Sequence, residues 1–493
     1  MARIASAQVA VVGGGPAGLA AARAAASLGV GVGLIDGGAR LGGQFHRQAA
    51  PGVGARDASR SGRFAGSRAP SPHGRELIAA VEDSPVEVRS RTRVWQASGE
   101  DGGVLLRLLG PDGAEQEIFA EAVVLAPGAI DRGLPFPGWD LPGVLTPGGA
   151  QTLLKASGTL PGQRVLVSGA GPLLLAVAAL LAGSGAEVAA VLDATDRRRL
   201  LAMAGPLLGP GGRSHLGEAA GYLFTLGRRR VPLRSGWATV AARGEGRVEE
   251  AEIARVDRSW RPVAGTERTI AVDTICSGFG FTAMLELPLA LGCAVRRDPV
   301  DGALAVAVNA DGASSVAGVY VAGEATGIGG ADLAETEGTL AGLAAAEYCG
   351  ATALAKAELR RSLKRRRLDQ ERFAAALRRA LRVPLCWSDK LADRTPVCRC
   401  EEVSAGEIRA AVNELGATDA RSAKLLCRAG MGLCQGRVCG TNVAEIVAHE
   451  LGAEADPLEL SRRPIAEPIP LGGLADDQGS DRDTAMDSSR TPG

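Results

Sequence analysis

The chain has 493 residues, which is room for about three domains. Its 55 Lys and Arg residues balance its 55 Asp and Glu residues, so the overall charge argues for neither nucleic acid nor an acidic substrate as a partner. The nine cysteines are an odd number for a disulfide framework, and we therefore expect a reducing compartment.

The first segment has the pattern of a dinucleotide-binding unit. Residues 8–12 form a continuous apolar run, as in a central parallel strand, and lead into the loop Gly13-Gly14-Gly15-Pro16-Ala17-Gly18. An alanine-rich helix to about Gly29 and a second strand over 30–35 follow, and Asp36 ends that strand. In this context the glycines let a pyrophosphate approach the helix N-terminus, and Asp36 can accept hydrogen bonds from ribose hydroxyls. The alternative, a glycine-rich turn without a ligand, is disfavoured by the flanking strand and helix.

Two features bear on cellular location. The chain passes from a short polar start straight into the first strand, with no apolar stretch followed by a cleavage site. The apolar stretch 171–192 is interrupted by Glu187 and by the turn Gly183-Ser184-Gly185, so it is expected to form a short helix and a strand rather than a membrane span. We expect a soluble cytoplasmic protein.

The region after Asp36 is less regular. Residues 49–71 are rich in Gly, Ser, Arg and Pro, which predicts a mobile loop or lid. A helix from Gly74 to Glu82 and an apolar strand from Ala122 to Ala126, closed by the turn Pro127-Gly128-Ala129, are expected after it. Short strands are predicted between them, around 86–95, 104–109 and 115–119.

A second strand-turn-helix pattern begins at Gln163. Gly169 and Gly171 match the first two glycines of the first loop, and Asp193 stands where a ribose-binding acid would. The third glycine position is Leu174, whose side chain should crowd the helix against the strand and the ligand. Three alternatives stay open: a nicotinamide cofactor, another adenine nucleotide, or a Rossmann unit with no ligand.

The chain then returns to strands, which are predicted over 237–242 and 248–256. A last apolar strand over 318–322 runs into the turn Gly323-Glu324-Ala325-Thr326-Gly327. A helix that ends at Tyr348 follows this turn.

Residues 354–382 are predicted to form a long basic helix, with eleven Lys or Arg against three Asp or Glu. This pattern fits either a solvated connector or a helix that docks on an acidic partner. Residues 457–493 are rich in Pro, Asp and Ser, and their last twenty are expected to be disordered.

Four cysteines near the C-terminus form the strongest metal-site pattern. Cys398 and Cys400 form a C-x-C pair, and because alternate side chains of an extended segment point the same way, both sulfurs can reach one iron. Cys434 and Cys439 lie in a glycine-rich stretch whose backbone can wrap closely. The pattern predicts a Cys₄ iron–sulfur site, with zinc as the alternative metal.

The other cysteines are expected to be spectators. Cys427 lies close enough in sequence to replace one ligand, but its neighbours are typical of a helix. Four further cysteines are scattered along the chain, as is typical of buried core thiols: Cys276, Cys293, Cys349 and Cys386.

These patterns together resemble the flavin-dependent pyridine-nucleotide–disulfide reductase superfamily, in which a second Rossmann-type unit is inserted between the halves of the first. The resemblance implies FAD at Gly13–Gly18 and Asp36, with Ala126–Ala129 as the turn that returns from the first FAD half. Gly323-Glu324 resembles the Gly-Asp motif that binds the ribityl and phosphate region of the flavin, with Glu in place of Asp. The segment 42–47, where disulfide reductases carry C-x4-C, has no cysteine, so disulfide reduction is not expected.

A narrower resemblance covers nearly all of residues 8–475. It is to the larger FAD subunits of bacterial hydrogen cyanide synthase, opine oxidase and hydroxyproline or proline dehydrogenase complexes. The C-terminal VCRCEEV and GMGLCQGRVC resemble the bacterioferritin-associated ferredoxin [2Fe-2S] module. The other matching stretches are Leu41-Gly42-Gly43-Gln44, Leu134-Pro135-Phe136-Pro137-Gly138-Trp139, Leu141-Pro142-Gly143-Val144, Gly171-Pro172-Leu173-Leu174-Leu175 and Gly323-Glu324-Ala325-Thr326-Gly327-Ile328-Gly329-Gly330.

The resemblance implies partners as well as cofactors. An amino-acid-oxidase-like flavoprotein subunit would oxidise the amine and pass electrons to this chain, and a small ferredoxin-like subunit is a further expected partner. The expected FAD contacts are Gly13, Gly15, Pro16, Ala17, Gly18, Asp36, Gly43, Gln44, Ala126, Gly128, Gly323 and Glu324, and the expected cluster ligands are Cys398, Cys400, Cys434 and Cys439.

We therefore predict an α/β fold with two Rossmann-type dinucleotide-binding domains, the second inserted in the first, plus a small, mostly helical [2Fe-2S] domain. The expected divisions are the FAD-binding domain in two parts (1–150 and 271–352), the second Rossmann-type domain (151–270), a basic helical connector (353–394), the cluster domain (395–455) and a partly disordered tail (456–493).

The leading functional hypothesis is an FAD- and [2Fe-2S]-dependent electron-accepting subunit of an amino-acid, opine or imino-acid dehydrogenase. FAD changes by two electrons and the cluster by one, so the pair converts a hydride-level oxidation into single-electron delivery. A self-contained NAD(P)H-dependent flavoprotein reductase, using Gly169, Gly171 and Asp193, is the alternative enzyme. A redox sensor or scaffold is the non-enzymatic alternative.

No general base is expected from the sequence. Only His46, directly after the Gly-Gly-Gln turn, is placed where it could lie near the flavin. No cluster with carboxylates is expected for any of the four histidines, His46, His73, His215 and His449.

Overall fold

The computed structural model of the chain describes residues 5–50, 70–352, 356–389, 391–461 and 465–470. The predicted loop at 51–69 and the last twenty residues, for which disorder is predicted, lie outside the described residues. Within the described ranges, no helix has both the length and the apolar character needed to cross a membrane.

The first 125 residues build a mostly parallel sheet with helices packed on it. Strand β1 pairs in parallel with both β2 and β6, and its second half, residues 9–12, is buried because these residues are apolar on both faces. The strand order is β3-β2-β1-β6-β5-β4. The elements are β1 (Ala5–Val12), α1 (Pro16–Ala26), β2 (Val32–Asp36), α2 (Pro72–Glu82), β3 (Glu87–Ser90), β4 (Arg93–Glu100), β5 (Gly103–Leu109) and β6 (Glu115–Leu125).

The middle of the chain forms a second parallel sheet and a three-stranded antiparallel sheet. The parallel sheet has the order β11-β10-β9-β15-β8, and the antiparallel sheet the order β12-β13-β14. The elements are β7 (Ala129–Asp131), β8 (Val144–Leu145), α3 (Pro147–Ser157), β9 (Arg164–Gly169), α4 (Leu173–Gly183), β10 (Glu187–Asp193), α5 (Arg197–Leu201), α6 (Ala204–Leu208), α7 (Arg213–Arg228), β11 (Leu233–Ser235), β12 (Trp237–Arg243), β13 (Glu250–Arg255), β14 (Arg268–Ala271) and β15 (Thr274–Gly278).

The second sheet extends beyond the predicted limits of 151–270 at both ends. Strand β15 pairs with β9 in its centre, and β8 pairs with β15 at its edge. Both strands are short, and their partners are distant in sequence, so the local pattern gives no sign of which sheet they join.

The chain returns to the first sheet through β19, which pairs in parallel with β6. The returning segment therefore supplies the second part of the first domain, as predicted for an inserted Rossmann unit. Its elements are β16 (Phe281–Ala283), α8 (Glu286–Ala290), β17 (Val295–Arg297), β18 (Leu304–Val306), β19 (Val319–Val321), a 3₁₀ helix (Gly323–Thr326), α9 (Ala331–Tyr348) and α10 (Ala357–Leu381).

The cysteine region folds into a small, mostly helical domain with its own apolar core. Leu460 lies in that core, and the backbone N–H of Ala466 donates to the carbonyl of Trp95 at 2.7 Å. The first part of the predicted tail is therefore packed against the two neighbouring domains. The elements are β20 (Pro396–Cys398), β21 (Val403–Ser404), α11 (Ala405–Asn413), α12 (Ala420–Cys427), α13 (Gly440–Leu451) and a 3₁₀ helix (Pro457–Leu460).

Helices α1 and α9 pack with almost no side chain between their backbones. A Cβ atom on Gly338 would lie 2.0 Å from the carbonyl oxygen of Ala17, and one on Gly342 would lie 2.2 Å from that of Ala21. Only glycine fits at these two positions, because real Cβ atoms do not approach oxygens so closely. This contact joins the two parts of the first domain.

The basic helix α10 docks on acidic side chains of the same chain. Arg360 pairs with Asp311 at 2.7 Å and with Glu347 at 2.6 Å, and Lys364 also reaches Asp311 at 2.7 Å. Arg378 pairs with Asp298 at 3.0 Å near the other end of the helix. One alternative for this helix is docking on an acidic partner. For these basic side chains, the acidic residues belong to the FAD-binding half of the same chain.

Glu337 is a buried carboxylate at the centre of this contact. It accepts hydrogen bonds from the N–H of Gly323 at 2.9 Å and from the hydroxyl of Thr326 at 2.8 Å, and it lies 3.3 Å from the guanidinium of Arg367. Burial raises the pKa of Glu337 to about 7, although Arg367 and the hydrogen bonds act in the opposite direction. Glu337 thus links α9, α10 and the turn before α9.

A pH dependence of stability follows from Glu337. Because its pKa is higher in the folded chain than the ordinary 4.5, the folded state loses stability as the pH rises from about 4.5 to about 7. In Glu337→Gln this part of the decline should be absent, so the melting temperature should fall less over that window. Glu358→Gln, at an exposed position of α10, is the control and should keep the wild-type profile. Parallel profiles for wild type and Glu337→Gln would contradict the assignment.

Candidate functional site

One large cavity, of about 2530 Å³, contains most of the residues predicted to bind a dinucleotide. The exception is Gly18, which packs under the first glycine loop: its Cβ would lie 1.7 Å from the carbonyl oxygen of Gly13. The predicted residues that line the cavity are Gly13, Gly15, Pro16, Ala17, Asp36, Gly43, Gln44, Ala126, Gly128, Gly323 and Glu324.

The first glycine loop leaves open space for a ligand at Gly15. A Cβ on Gly13, whose φ is +106°, would lie 2.2 Å from the carbonyl oxygen of Ala126, so this glycine serves the backbone packing. Gly15 is extended, and the nearest atom to a Cβ there is Cα of Gly43 at 3.9 Å. No side chain caps the N-terminus of α1, which leaves its N–H groups free for an anion such as a pyrophosphate.

Asp36 braces the loop from the end of β2. Its carboxylate accepts hydrogen bonds from the backbone N–H groups of Gly14 and Gly38. Burial raises the pKa of Asp36, although these bonds and the charge of Arg47 oppose the shift. Each carboxylate oxygen has a further lone pair, so Asp36 can still accept from a ribose hydroxyl.

The Gly-Gly-Gln turn closes over the same loop. A Cβ on Gly43 would lie 2.7 Å from Cα of Gly15, so the two backbones are in close contact. The side-chain oxygen of Gln44 accepts from Arg47 at 2.6 Å and from Thr152 at 3.2 Å. Through Thr152, which lies on α3, the turn connects the first domain to the inserted one.

Glu324 is turned toward its own backbone. Its carboxylate accepts from the N–H groups of Gly329 at 2.9 Å and Gly330 at 3.0 Å, directly before α9. Burial raises the pKa of this carboxyl against those two bonds. The longer side chain of Glu324 therefore stabilises the turn. The N–H of Gly323 donates instead to Glu337, a residue that no sequence motif indicates.

The four predicted cluster cysteines lie together. The thiol of Cys439 is in hydrogen-bond contact with those of Cys398 and Cys434, and Cys434 also contacts Cys400. The N–H of Gly430 donates to the sulfur of Cys398 at 3.4 Å. Hydrogen bonding by Cys439 lowers the pKa of Cys398 to about 6 despite partial burial, and also lowers that of Cys434. Hydrogen bonding and burial raise the pKa of Cys439, and that of Cys400 is also raised. Cys398 and Cys434 therefore favour the thiolate, the form that binds iron or zinc, whereas Cys439 holds a proton until a metal displaces it.

The four thiols form a chain of mutual contacts. Throughout the ranges that the structure describes, no three His, Cys, Asp or Glu side chains form a ligand set for a single ion. The four thiols instead contact each other in a row, in the order Cys398, Cys439, Cys434, Cys400. Cys427 ends α12, where burial raises the pKa of its thiol.

The cluster domain opens into the same cavity as the glycine loops. Arg399 and Cys434 line it, and the guanidinium of Arg399 lies over the ring of Trp139, 4.8 Å from its centre. The indole N–H of Trp139 donates to the carbonyl of Pro396 at 2.5 Å, two residues before Cys398. Arg399 and Trp139 are not among the site residues predicted from the sequence, because nothing local to either residue indicates the contact.

Two further bonds fix the cluster domain against the FAD-binding half. The guanidinium of Arg132 donates to the carboxylate of Glu445 on α13 at 2.6 Å. The side-chain amide of Asn442 donates to the carbonyl of Gly133 at 2.9 Å. The segment after β7 thus carries a bonded interface to the cluster domain.

The second glycine loop lines the same cavity as the first. Leu174, at the third glycine position, lies on α4 and is buried in the apolar core. Cδ1 of Leu381, at the end of α10, lies 3.7 Å from the position of a Cβ on Gly171. Asp193 accepts from the N–H of Thr195 at 2.8 Å, and burial raises its pKa. These contacts place the end of α10 against the loop where a second nucleotide would bind.

The expectation that no histidine pairs with a carboxylate is wrong. Nε2 of His73 lies 2.7 Å from Glu335, and Nε2 of His46 lies 3.7 Å from the same carboxylate. His449 lies 3.3 Å from Asp389. Glu335 follows His46 and His73 by more than 260 residues, so their contact exists only in the folded chain. His215 instead stacks on Phe373.

Comparison with known families agrees with both halves of this site. The sequence profile of the pyridine nucleotide-disulphide oxidoreductases matches residues 7–338, and that of the BFD-like [2Fe-2S] binding domain matches residues 396–449. The two profiles identify FAD and a [2Fe-2S] cluster as the cofactors, as the sequence analysis predicts.

Similar proteins match over nearly the whole chain. Hydrogen cyanide synthase subunit HcnB of Pseudomonas aeruginosa is 35% identical over 94% of this chain and 97% of its own length. An opine oxidase subunit from Agrobacterium tumefaciens is 32% identical over 94% of this chain and 90% of its own. The crystal structure of L-proline dehydrogenase from P. horikoshii has the same fold, with a TM-score of 0.67, 22% identity, and coverage of 96% of this chain and 80% of that one.

Gly15→Val tests the first glycine loop. The backbone at Gly15 is extended and tolerates a side chain, but valine would project into the cavity beside Gly43. We expect a folded protein that has lost FAD, measured as flavin per purified chain. Gly31→Val, in the same domain, is the matched control. A Cβ at this position meets only the side chain of Gln8, at 3.8 Å. If purified Gly15→Val protein retained stoichiometric flavin, the assignment of FAD to the first glycine loop would be wrong.

Cys434→Ser tests the cluster. Protein made with iron should contain two irons and inorganic sulfide per chain. Cys434→Ser should lose both, measured by metal and sulfide analysis, whereas Cys427→Ser should keep them. Zinc without sulfide in anaerobically prepared protein would exclude the cluster, and loss of iron in Cys427→Ser would mean that the wrong ligand was selected.

Proposed function

The chain belongs to the pyridine nucleotide-disulphide oxidoreductase family, in the group of HcnB and its opine oxidase counterparts, and from this we propose that it is the electron-accepting subunit of an amino-acid, opine or imino-acid dehydrogenase complex. It is an FAD-dependent oxidoreductase with a [2Fe-2S] domain. The proposal concerns the source of its electrons and the partner that supplies them.

One observation carries the proposal: the glycine loops and one of the four cluster cysteines line the same cavity. Gly15 and Gly43 contribute to its lining from the FAD-binding half, and Arg399 and Cys434 contribute from the cluster domain. When bound, FAD would accept two electrons and the cluster would pass them on singly. A chain with this arrangement is suited to connect a two-electron oxidation to a one-electron carrier.

The chain's own residues position both centres. We assign FAD to the N-terminus of α1, Asp36, the Gly43-Gln44 turn, Ala126, Gly128 and the Gly323-Glu324 turn, and the cluster to the row of four cysteines. Glu337 holds the N–H of Gly323, and Arg399 stacks on Trp139 from within the C-x-C segment. These contacts hold the FAD-binding loops and the C-x-C segment in place.

The amine would be oxidised elsewhere. The segment 42–47 has no redox dithiol, and the relatives at 32–35% identity are named as subunits of hydrogen cyanide synthase and opine oxidase. We infer that the electron donor is an amino-acid-oxidase-like flavoprotein subunit, with a small ferredoxin-like protein as a further partner. The domain limits proposed for this chain follow its sheets, with β8 and β15 assigned to the inserted domain.

The alternative reductase function needs a nicotinamide cofactor at the second glycine loop. Leu174 occupies the place of the third glycine, and the end of α10 lies against Gly171. Leu174 lacks the close helix–strand approach that the third glycine allows, so we favour a Rossmann unit that acts as a structural link. A redox sensor or scaffold would need no partner that passes electrons in.

Electron delivery by a partner is testable with purified subunits. We expect the isolated chain to show little dye-linked activity with proline, hydroxyproline, opines, sarcosine or glycine, because amine oxidation belongs to the partner. Addition of the oxidase-like subunit should restore activity with one of these substrates. Substantial turnover by the chain alone would contradict the subunit function. Rapid reduction of its flavin by NADH would favour the reductase.

A further inference from the structure

Three side chains form a row from the cavity to the protein surface. The side chain of His46 lines the cavity and is 3% exposed, that of Glu335 is 17% exposed, and that of His73 is 64% exposed. Glu335 lies between the two histidines, 3.7 Å from Nε2 of His46 and 2.7 Å from Nε2 of His73. Each step of the row leads from the buried cavity toward solvent.

Three separate parts of the first domain hold this row. The backbone N–H of His46 donates to the carbonyl of Gly42 at 3.0 Å, which fixes the imidazole directly after the Gly-Gly-Gln turn. His73 lies in the first turn of α2, and Glu335 lies on α9. A Cβ on Gly74 would lie 2.3 Å from Nδ1 of His46, so a glycine is required beside the ring.

The imidazole of His46 is buried without a full set of partners. Its Nε2 has no hydrogen-bond partner, and 3.7 Å to Glu335 is too long for a direct bond. An unpaired buried nitrogen costs stability, and protonation of this ring would form an ion pair with the carboxylate of Glu335 at 3.7 Å. His46 is also one of the residues that line the cavity. Burial raises the pKa of Glu335, but the hydrogen bond from His73 and the charges of the two imidazoles when protonated outweigh it, so the net shift is downward. Glu335 is therefore held as a carboxylate, which stabilises a protonated imidazole beside it.

The two cofactors together create a need for a proton route. Reduced flavin carries two electrons and at least one proton, whereas a [2Fe-2S] cluster accepts electrons only, one at a time. Oxidation of the reduced flavin by the cluster would remove two electrons singly and release one proton in the cavity. Groups of the protein would have to accept that proton on oxidation and return one on reduction by electrons alone.

We propose that His46, Glu335 and His73 are the proton exit of the flavin site. The imidazole of His46 would take the proton released on flavin oxidation and be held as an imidazolium beside the Glu335 carboxylate. Transfer across the 3.7 Å gap would then pass a proton through Glu335 to His73, which is 2.7 Å from that carboxylate and releases a proton to water. Both electrons leave separately through the cluster, so charge and atoms balance. This inference rests on the FAD and cluster assignments and does not depend on the partner protein.

The test uses the full chain loaded with FAD and cluster. The protein is reduced, mixed anaerobically with a one-electron outer-sphere oxidant such as ferricenium, and followed by flavin absorbance and by a pH-indicator dye. We expect His46→Gln and Glu335→Gln to slow flavin oxidation and proton release together, by about 10²-fold. His73→Gln should have a smaller effect, because water can reach Glu335. Free imidazole should restore much of the rate in His46→Ala.

Controls separate proton transfer from structural effects. His449→Gln removes the other His–carboxylate pair, with Asp389, and should keep the wild-type rate. Flavin content, flavin potential and the cluster EPR signal should be unchanged in Glu335→Gln, so that only the kinetics and the solvent deuterium effect differ.

Several results would overturn the proposal. One is a wild-type rate in His46→Gln that retains FAD, and another is an absence of imidazole rescue in His46→Ala. If His46→Gln loses FAD, Glu335→Gln decides, and a wild-type rate and deuterium effect there would exclude the route. Because no amine and no partner enter the measurement, its failure leaves the proposed function untouched.

Discussion

The packing of α1 against α9 is the contact on which the rest of the FAD-binding half depends. Gly338 and Gly342 let α9 approach the carbonyls of Ala17 and Ala21 at distances that no side chain would permit. The contact joins segments more than 300 residues apart in sequence, and it fixes both the loop before α1 and the turn before α9. It also brings Glu335 toward His46, whose turn packs on the same loop. A larger residue at either glycine would separate the two walls of the cavity.

A second set of contacts ties the cluster domain and α10 to this half. Arg132, Trp139 and Arg399 connect the segment after β7 to α13 and to the C-x-C strand. The bond of Arg132 is charge-assisted and partly buried, which makes it stronger than an exposed pair. Helix α10 crosses the outside of α9 and ends against the second glycine loop. The cluster domain therefore has a fixed position relative to the flavin loops, as electron transfer between two centres requires.

Features set by neighbouring residues could be predicted from the sequence. The spacing of the first glycine loop and Asp36 is typical of dinucleotide binding, and the C-x-C spacing is typical of a metal site. The glycine loop and Asp36 line one cavity, and the C-x-C cysteines lie beside the other two cluster cysteines. What could not be predicted depends on contacts between distant segments. Glu335 contacts His46 and His73 because α9 packs on α1. Strand β15 joins the second sheet by pairing with β9, which lies more than 100 residues earlier in the chain. Helix α10 shows an intermediate case: its charge predicts an acidic surface, but the sequence does not show that this surface belongs to the same chain.

The central claim is that FAD and the cluster of one chain exchange electrons directly across their shared cavity. Its most direct test is rapid-freeze EPR of the isolated holoprotein after the flavin alone has been reduced by a light pulse. The account predicts that the cluster signal rises as flavin absorbance recovers, at a rate independent of protein concentration. A cluster that stays oxidised beside reduced flavin, or a rate proportional to protein concentration, would contradict it.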